Sequence, residues 1–473
     1  MISISLNTNS GTPLYLQIYE YIKQEILQGS LSYPERLPSA RSLASFLQVS
    51  RSTVDTAYEQ LLSEGYIESR QRSGYYVCRI THNQHFETTP SSHGPGENSH
   101  TSDEWSLSPF CDRYDLNPDA IDTSHFPYSV WKSIGKNQLD NPENFLSGSH
   151  FGTAGLRQAI ADYLHGSRGV QCSPDCIVVG AGLDHLLQML CVLFERNVTI
   201  AMEDPGYQSA KQILLSGGCQ VLDIPLHEKS MDVEKLTHSQ ASICYVTPSH
   251  QFPLGSVMPV SRRQELLAWA SSGDHRYIIE DDHDSEFRYI GKPIPSLQSM
   301  DQHQKVIYIG TFSKAVSPAI RTGYMVLPPR LMVRYRTLCG SYACPVSRIQ
   351  QSILAEFIRE GAFEKHLNRM RKIYKGKHDA ILNELSAYVQ QGMFEISGDY
   401  AGLYIILRYL GKKDEQMILK NAEKNGIRLR SLRGYYADLP ADYLPTFLIG
   451  FGNLRENEIH DAVELLVHSV FLS

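Results

Sequence analysis

The run Val306-Ile-Tyr-Ile-Gly-Thr-Phe-Ser-Lys314 continues as Ala315-Val-Ser-Pro-Ala-Ile-Arg321, setting one lysine after an apolar stretch and an arginine seven residues further on. A lysine at the end of a buried strand gives up its proton more readily than a solvated one. In that form it condenses with an aldehyde to a Schiff base. Thr311, Ser313 and Arg321 add the hydroxyls and guanidinium that grip a phosphate. Lysine and phosphate grip together are the minimal anchor for pyridoxal phosphate. A lone lysine after a strand is more often simply solvated, so the reading rests on its company.

That company stands at four other strand-like runs. Cys176–Val179 is followed by Gly180-Ala181-Gly182, a small-residue turn that opens a helix and presents bare N–H groups to an anion. Val198–Met202 leads to Glu203-Asp-Pro-Gly-Tyr207, whose ring is placed to stack on a planar group or to fill the core. Ile243–Val246 leads to a polar loop offering His250 and Gln251. Tyr277–Ile279 leads to Glu280-Asp-Asp-His-Asp284. Five polar residues directly after a buried strand are costly unless partnered. A carboxylate beneath a pyridinium nitrogen explains them better than a solvated acidic turn, because it keeps the ring protonated and makes it an electron sink.

The alternation of apolar runs with helical segments implies an α/β fold with a mostly parallel sheet. Ligands in such sheets bind beyond the carboxyl ends of the strands, where these residues fall. With 473 residues the chain exceeds one compact core. Its 42% hydrophobic and 20% charged residues describe an ordinary globular protein. No apolar run approaches the ~20 residues of a membrane span, and the N-terminus lacks the features of a secretion signal, so a cytoplasmic protein is expected. The nine cysteines lack the spacing and histidine partners of a metal site and are expected as reduced thiols, with no bound metal.

Residues 81–104 are nearly free of apolar side chains and read as a flexible linker, reaching roughly 25–30 Å. The linker separates a domain at 1–80 from a larger one at 105–473. In the first, Leu14, Ile18, Ile22 and Ile26 mark a helix ending at Gly29. Ser39 caps a short second helix, and Ser50 or Ser52 a third that carries Val54, Tyr58, Leu61 and Leu62. Gly65–Val77 reads as two strands around a polar tip, completing a winged helix-turn-helix. Ser50, Arg51, Ser52, Thr53, Thr56 and Tyr58 on the third helix suit phosphates and base edges, with Arg70 and Arg72 in the wing. A small protein-interaction domain is the plain alternative. The net charge of −7 lies wholly outside residues 1–80, which hold seven basic and seven acidic residues. That balance permits DNA binding without demonstrating it.

Arg36-Leu-Pro-Ser-Ala-Arg41-Ser-Leu-Ala44, Val49-Ser-Arg-Ser-Thr-Val54, Glu64-Gly-Tyr66 and Ser73-Gly-Tyr-Tyr-Val77 resemble the GntR-family winged helix. The resemblance implies operator contacts by Arg41, Arg51, Ser52, Thr53 and the wing. Phe126-Pro127 with Trp131, Glu203–Tyr207, Thr247–Gln251, Glu280-Asp-Asp, Asp284–Arg288 and Gly310–Lys314 with Arg321 resemble the fold-type I aminotransferases. A smaller C-terminal α+β subdomain would follow the parallel sheet. End to end, the chain resembles the MocR/GabR-type regulators. That implies a homodimeric, head-to-tail transcription factor on repeated DNA half-sites, with pyridoxal phosphate on Lys314. Asp281 would pair with the ring nitrogen and Tyr207 would stack. Ala181, Gly182, Thr311, Ser313 and Arg321 would hold the phosphate, and His250 and His283 would also bind the cofactor.

Several positions depart from that pattern. His283 stands where the family places a tyrosine, and as an imidazole it is expected to titrate near neutrality. Leu254 replaces a common threonine, and Ser209 sits where an amino-acid-sensing relative uses arginine. Leu448 occupies the place of an arginine that would clamp a substrate carboxylate. Arg428, Arg430 and Arg433 lie upstream as substitute effector contacts. The expected function is a pyridoxal-phosphate-dependent regulator that senses the cofactor or an amine or amino acid. An active aminotransferase with an accessory DNA-binding domain is the alternative, and a cofactor-free dimerisation scaffold a weaker one.

Overall fold

The computed structural model describes residues 4, 6, 11–70, 73–79, 113–227, 229–289, 294–398 and 401–472. The expected linker and Arg72 lie outside them. Two compact units divide the chain, Met1–Trp105 and Ser106–Ser473.

The first unit opens with the helix Leu14–Leu27, which buries Ile18, Tyr19, Ile22 and Ile26 along one face. Gly29 then takes a φ of +81°, a left-handed conformation that suits glycine after a helix end. The Ser39 hydroxyl accepts the Ser42 N–H to start the helix Ala40–Leu47. Ser50 accepts the Thr53 N–H to start Arg51–Ser63. Strands Ile67–Arg70 and Gly74–Val77 pair antiparallel, with Ile67 opposite Val77. These side chains close one core with Val54, Ala57, Tyr58 and Leu61, drawn entirely from this unit.

The second unit is built on an eight-stranded sheet. Its order is Ile177–Gly180, Gly323–Val326, Val306–Thr311, Tyr277–Asp282, Ile243–Val246, Thr199–Asp204, Gln220–His227 and Ser230–Met231. Thr199–Asp204, Ile243–Val246, Tyr277–Asp282 and Val306–Thr311 are mutually parallel. Gly323–Val326 runs antiparallel to both its neighbours, which leaves Ile177–Gly180 aligned with the parallel set. All five strands singled out from the sequence therefore end at one edge. A four-stranded antiparallel sheet of Phe394–Ser397, Tyr404–Tyr409, Thr446–Gly450 and Arg430–Ser431 follows the 29-residue helix Ala362–Gln390. This is the expected α/β body with its smaller α+β part.

One boundary differs from the sequence reading. The strand expected to stop at Ile279 runs on through Asp282, and all six of its residues are buried. Each buried acid has found partners. Glu280 accepts the Leu297 and Gln298 N–H groups, both at 2.8 Å. Asp282 accepts Arg168 Nε at 2.7 Å and the Tyr308 hydroxyl at 2.5 Å. Strand alternation then turns Asp281, between them, to the opposite face.

Candidate functional site

The aligned strand ends enclose a cavity of about 200 Å³ lined by Tyr207, Thr247, Phe252, Asp281, His283, Thr311, Ser313, Lys314 and Arg321 among others. Thr311 closes its strand, and the turn after it sets Ser313 and Lys314 into the cavity. Lys314 Nζ lies 3.5 Å from His283 Nδ1 and 3.6 Å from Asp119 Oδ1. Arg321 is held in a left-handed conformation, φ +42°, and donates to Asp184 at 2.9 Å.

Arg321 and Asp184 stand at the start of the helix Leu183–Leu193, which no side chain caps. Its first-turn N–H groups are thus left for an anion. Gly182 explains the local sequence: its φ is +88°, and a Cβ there would come within 3.2 Å of the Arg321 guanidinium. Leu183 and Asp184 line the cavity; Ala181 and Gly182, expected to hold the phosphate, are not among its lining residues.

Asp281 accepts the Tyr245 hydroxyl. Burial pushes its carboxyl up to about 7, opposed by that hydrogen bond and by Lys314. His283 corrects an expectation. Burial pulls its pKa down to about 4, against the pull of Asp284, so it is neutral at physiological pH instead of titrating there. Its Nε2 donates to the His250 carbonyl at 2.9 Å, which leaves Nδ1 facing Lys314.

His250 is a second correction. It does not line the cavity but sits behind His283, with Nδ1 2.9 Å from Asp284. Burial opposes charge on Asp284, yet His250 and His283 hold it well below the ordinary carboxylate range. His250 therefore positions His283.

The upstream arginines are not brought into the cavity. Arg428 pairs with Asp115 at 3.6 Å, Arg433 with Glu415 at 3.1 Å, and Arg430 is exposed on the C-terminal sheet. Leu448 is fully buried with Phe252, Tyr404, Ile406 and Leu432, an apolar cluster against which Tyr207 packs. At the position where the sequence reading expected a clamping arginine, the side chain is therefore buried hydrocarbon. Asp119, Asp184 and Phe252 line the cavity without having been singled out. Asp119 lies in a turn after the short strand Tyr114–Asp115 and well before the eight-stranded sheet, so reading that sheet's strand ends misses it.

In the first unit, Arg41, Arg51, Ser52 and Thr56 are exposed along two adjacent helices. Arg51 reaches Asp55 at 3.4 Å with its side chain mostly in solvent. Ser50 spends its hydroxyl on the Thr53 N–H, so it presents the helix end, and Arg70 lies over the Tyr76 ring while pairing with Glu68.

These features define a winged-helix unit and a body with the architecture of a pyridoxal-phosphate enzyme. Residues 14–77 match the family "Bacterial regulatory proteins, gntR family" and residues 118–457 match "Aminotransferase class I and II". The body is similar to a Pyrococcus horikoshii kynurenine aminotransferase solved with PMP, at 25% identity and a TM-score of 0.67, over 76% of this chain and 91% of that one. The whole chain is 38% identical to the uncharacterized HTH-type transcriptional regulator YdeL of Bacillus subtilis (strain 168), over 98% of this chain and 97% of that protein. It is 31% identical to the HTH-type pyridoxine biosynthesis transcriptional regulator PdxR of Corynebacterium glutamicum, over 98% and 99%. The chain belongs to the MocR-type family of DNA-binding transcriptional regulators, in which a GntR-type reader is fused to an aminotransferase-like body. The cofactor that the body fits is pyridoxal phosphate. The uncapped helix end, the Gly182 cradle, the buried acid and the lysine match its phosphate, ring nitrogen and aldehyde in turn. No helix among the described residues is long and apolar enough to cross a membrane.

Proposed function

We propose that this regulator reads pyridoxal phosphate itself, and that occupancy at Lys314 changes how the winged helix binds its operator. The observation that carries this reading is that Lys314, Asp281, Thr311, Ser313 and Arg321 line one cavity, and it is supported by buried Leu448 at the position where the sequence reading expected a clamping arginine. The similarity to a pyridoxine biosynthesis regulator along the full chain supports it.

In this reading Lys314 is the covalent attachment point. Thr311, Ser313, Arg321 and the helix end at Gly182 would hold the phosphate, and Tyr207 would cover the ring. Asp281, buried and hydrogen-bonded by Tyr245, would hold a proton at the ring nitrogen. His283 stays neutral and lends Nδ1 on the lysine side. When bound, the cofactor supplies an electron-withdrawing ring and an aldehyde carbon that accepts amines.

The working form in this proposal is a head-to-tail homodimer in the cytoplasm, with two winged helices on repeated half-sites. Arg41, Arg51, Ser52, Thr53, Thr56 and Arg70 would meet the DNA, with Arg72 completing the wing. Binding at Lys314 shifts populations of the body and so the spacing of the heads. The test is operator affinity of the full chain, on a duplex selected from a random pool, with and without pyridoxal phosphate and beside an amino-acid panel. A coupling of 1–3 kcal/mol, about 5–150-fold in affinity, is expected for the cofactor and is lost in Lys314→Ala. A response to an amino acid alone would refute the reading.

A further inference from the structure

The cavity lining joins two unlike sets of side chains. Thr311, Ser313 and Arg321 offer hydroxyls and a guanidinium, and Lys314 and Arg321 are the two cations among the lining residues. Arg321 is engaged by Asp184. Tyr207 and Phe252 add aromatic faces that pack with Leu448 and Tyr404. Among the lining residues is also a carboxylate, Asp119, 3.6 Å from Lys314 Nζ and with its side chain 58% exposed.

Asp119 is not a loose surface acid. Its turn is closed by the Ala120 N–H on the Asn117 carbonyl at 3.1 Å and by the Asp119 N–H on Asn117 Oδ1 at 3.2 Å. The same turn is pressed against the strand that carries Leu448. The Gly450 N–H donates to the Leu116 carbonyl at 2.9 Å, and a Cβ on Gly450 would stand 2.2 Å from the Asn117 carbonyl oxygen. Gly452 is as tight, at 2.1 Å from the Ala120 carbonyl oxygen. Backbone packing therefore fixes a negative charge beside the reactive lysine. Tyr207, Tyr404 and Tyr435, whose hydroxyls are raised mainly by burial, all feel that charge.

We propose that Asp119 is the specificity-determining residue of this pocket. It turns away molecules that carry a carboxylate and admits amines whose remaining groups are neutral or cationic. An amino acid approaching Lys314 would bring its carboxylate toward Asp119, and the two cations among the described lining residues, Lys314 and Arg321, already face the carboxylates of Asp119 and Asp184. Pyridoxal phosphate, whose anionic group would be held by Thr311, Ser313 and Arg321, would escape this repulsion. The inference rests on the reading of the pocket as the cofactor site, and it explains how such a site stays blind to abundant amino acids.

The experiment loads the full-length protein with pyridoxal phosphate and titrates it with L-alanine and with ethylamine, the same amine without the carboxylate. Binding is read from the visible absorption and circular dichroism of the bound cofactor. In wild type, ethylamine acts at the lower concentration. Asp119→Asn lowers the L-alanine midpoint about tenfold or more and moves the ethylamine midpoint less than about twofold. Asp119→Gly checks that the effect follows the charge. Equal movement of both midpoints, no movement, or a change confined to cofactor affinity would overturn the proposal. The last result would make Asp119 a partner of Lys314 and nothing more. If wild type takes up no cofactor, the underlying reading falls first and the inference falls with it; if the cofactor binds and the midpoints do not separate, the inference alone falls.

Discussion

At the scale of single residues, His283 shows how burial rewrites a side chain's chemistry. An exposed imidazole titrates near 6.5, but here it is pulled down to about 4. The unfolded chain therefore binds a proton between roughly pH 6.5 and 4 that the folded chain refuses. Stability tied to His283 is present above that window and is lost as pH falls through it. His283→Gln should remove this dependence. At pH 5 the variant should recover on the order of 2 kcal/mol relative to its standing at pH 8, measured by denaturant unfolding of both proteins. A constant gap across pH would mean that His283 titrates normally. Lys314, Asp281 and Arg321 drew attention in the sequence because polar residues after apolar strand-like runs stand out, and all three line the one cavity. The state of His283 and the place of His250 were not, because burial depends on chain segments far away in sequence. Asp119 was hidden for the same reason: a turn before the sheet reaches the lysine only after the C-terminal strand has pressed it there.

At the scale of elements, the caps and strand ends decide what is presented to a partner. Ser39 and Ser50 start the second and third helices by the same hydroxyl-to-backbone bond. The sequence pointed to Ser39 and left Ser50 or Ser52 open for the third helix, since serine before an amphipathic run is a local signal. The length of Tyr277–Asp282 was not local. Its acids read as a loop until Arg168, Tyr308 and the Leu297–Gln298 backbone satisfied them. Ser50 carries a prediction of its own. Its hydroxyl also meets Ser52 at 2.9 Å and Thr53 at 2.7 Å, so it orders the hydroxyls at the helix end. Ser50→Ala should cost about 1 kcal/mol of stability in the winged-helix unit. It should weaken operator binding as well, because Ser52 and Thr53 lose their orientation. Ser63→Ala, at the far end of the same helix, is the control and should leave DNA affinity unchanged. Equal affinity of the Ser50 variant and wild type in a mobility-shift titration would show that the cap does not order the contact surface.

At the scale of the whole molecule, the core residues of the winged-helix unit all come from residues 18–77, and the largest core of the body from residues 114–471. Separate cores make separate cooperative units the expectation, and a single all-or-none transition would be surprising. Calorimetry of the full chain should then resolve two unfolding transitions. A ligand that binds only the native body stabilises it by RT ln(1 + [L]/Kd), about 2.7 kcal/mol at a hundredfold excess over Kd. Pyridoxal phosphate should therefore raise one transition by a few degrees, and operator DNA should raise the other. Lys314→Ala should abolish most of the first shift and none of the second. The regulatory reading adds a further demand, because a ligand that alters DNA affinity must act differently on two states of the protein. With both ligands present, the DNA-dependent shift should differ from its value with DNA alone by the same 1–3 kcal/mol that couples them in binding, since linkage is reciprocal. If the two shifts simply add, the body binds its cofactor without telling the reader, and the chain would be a winged helix and a cofactor site that share a polypeptide but not a signal.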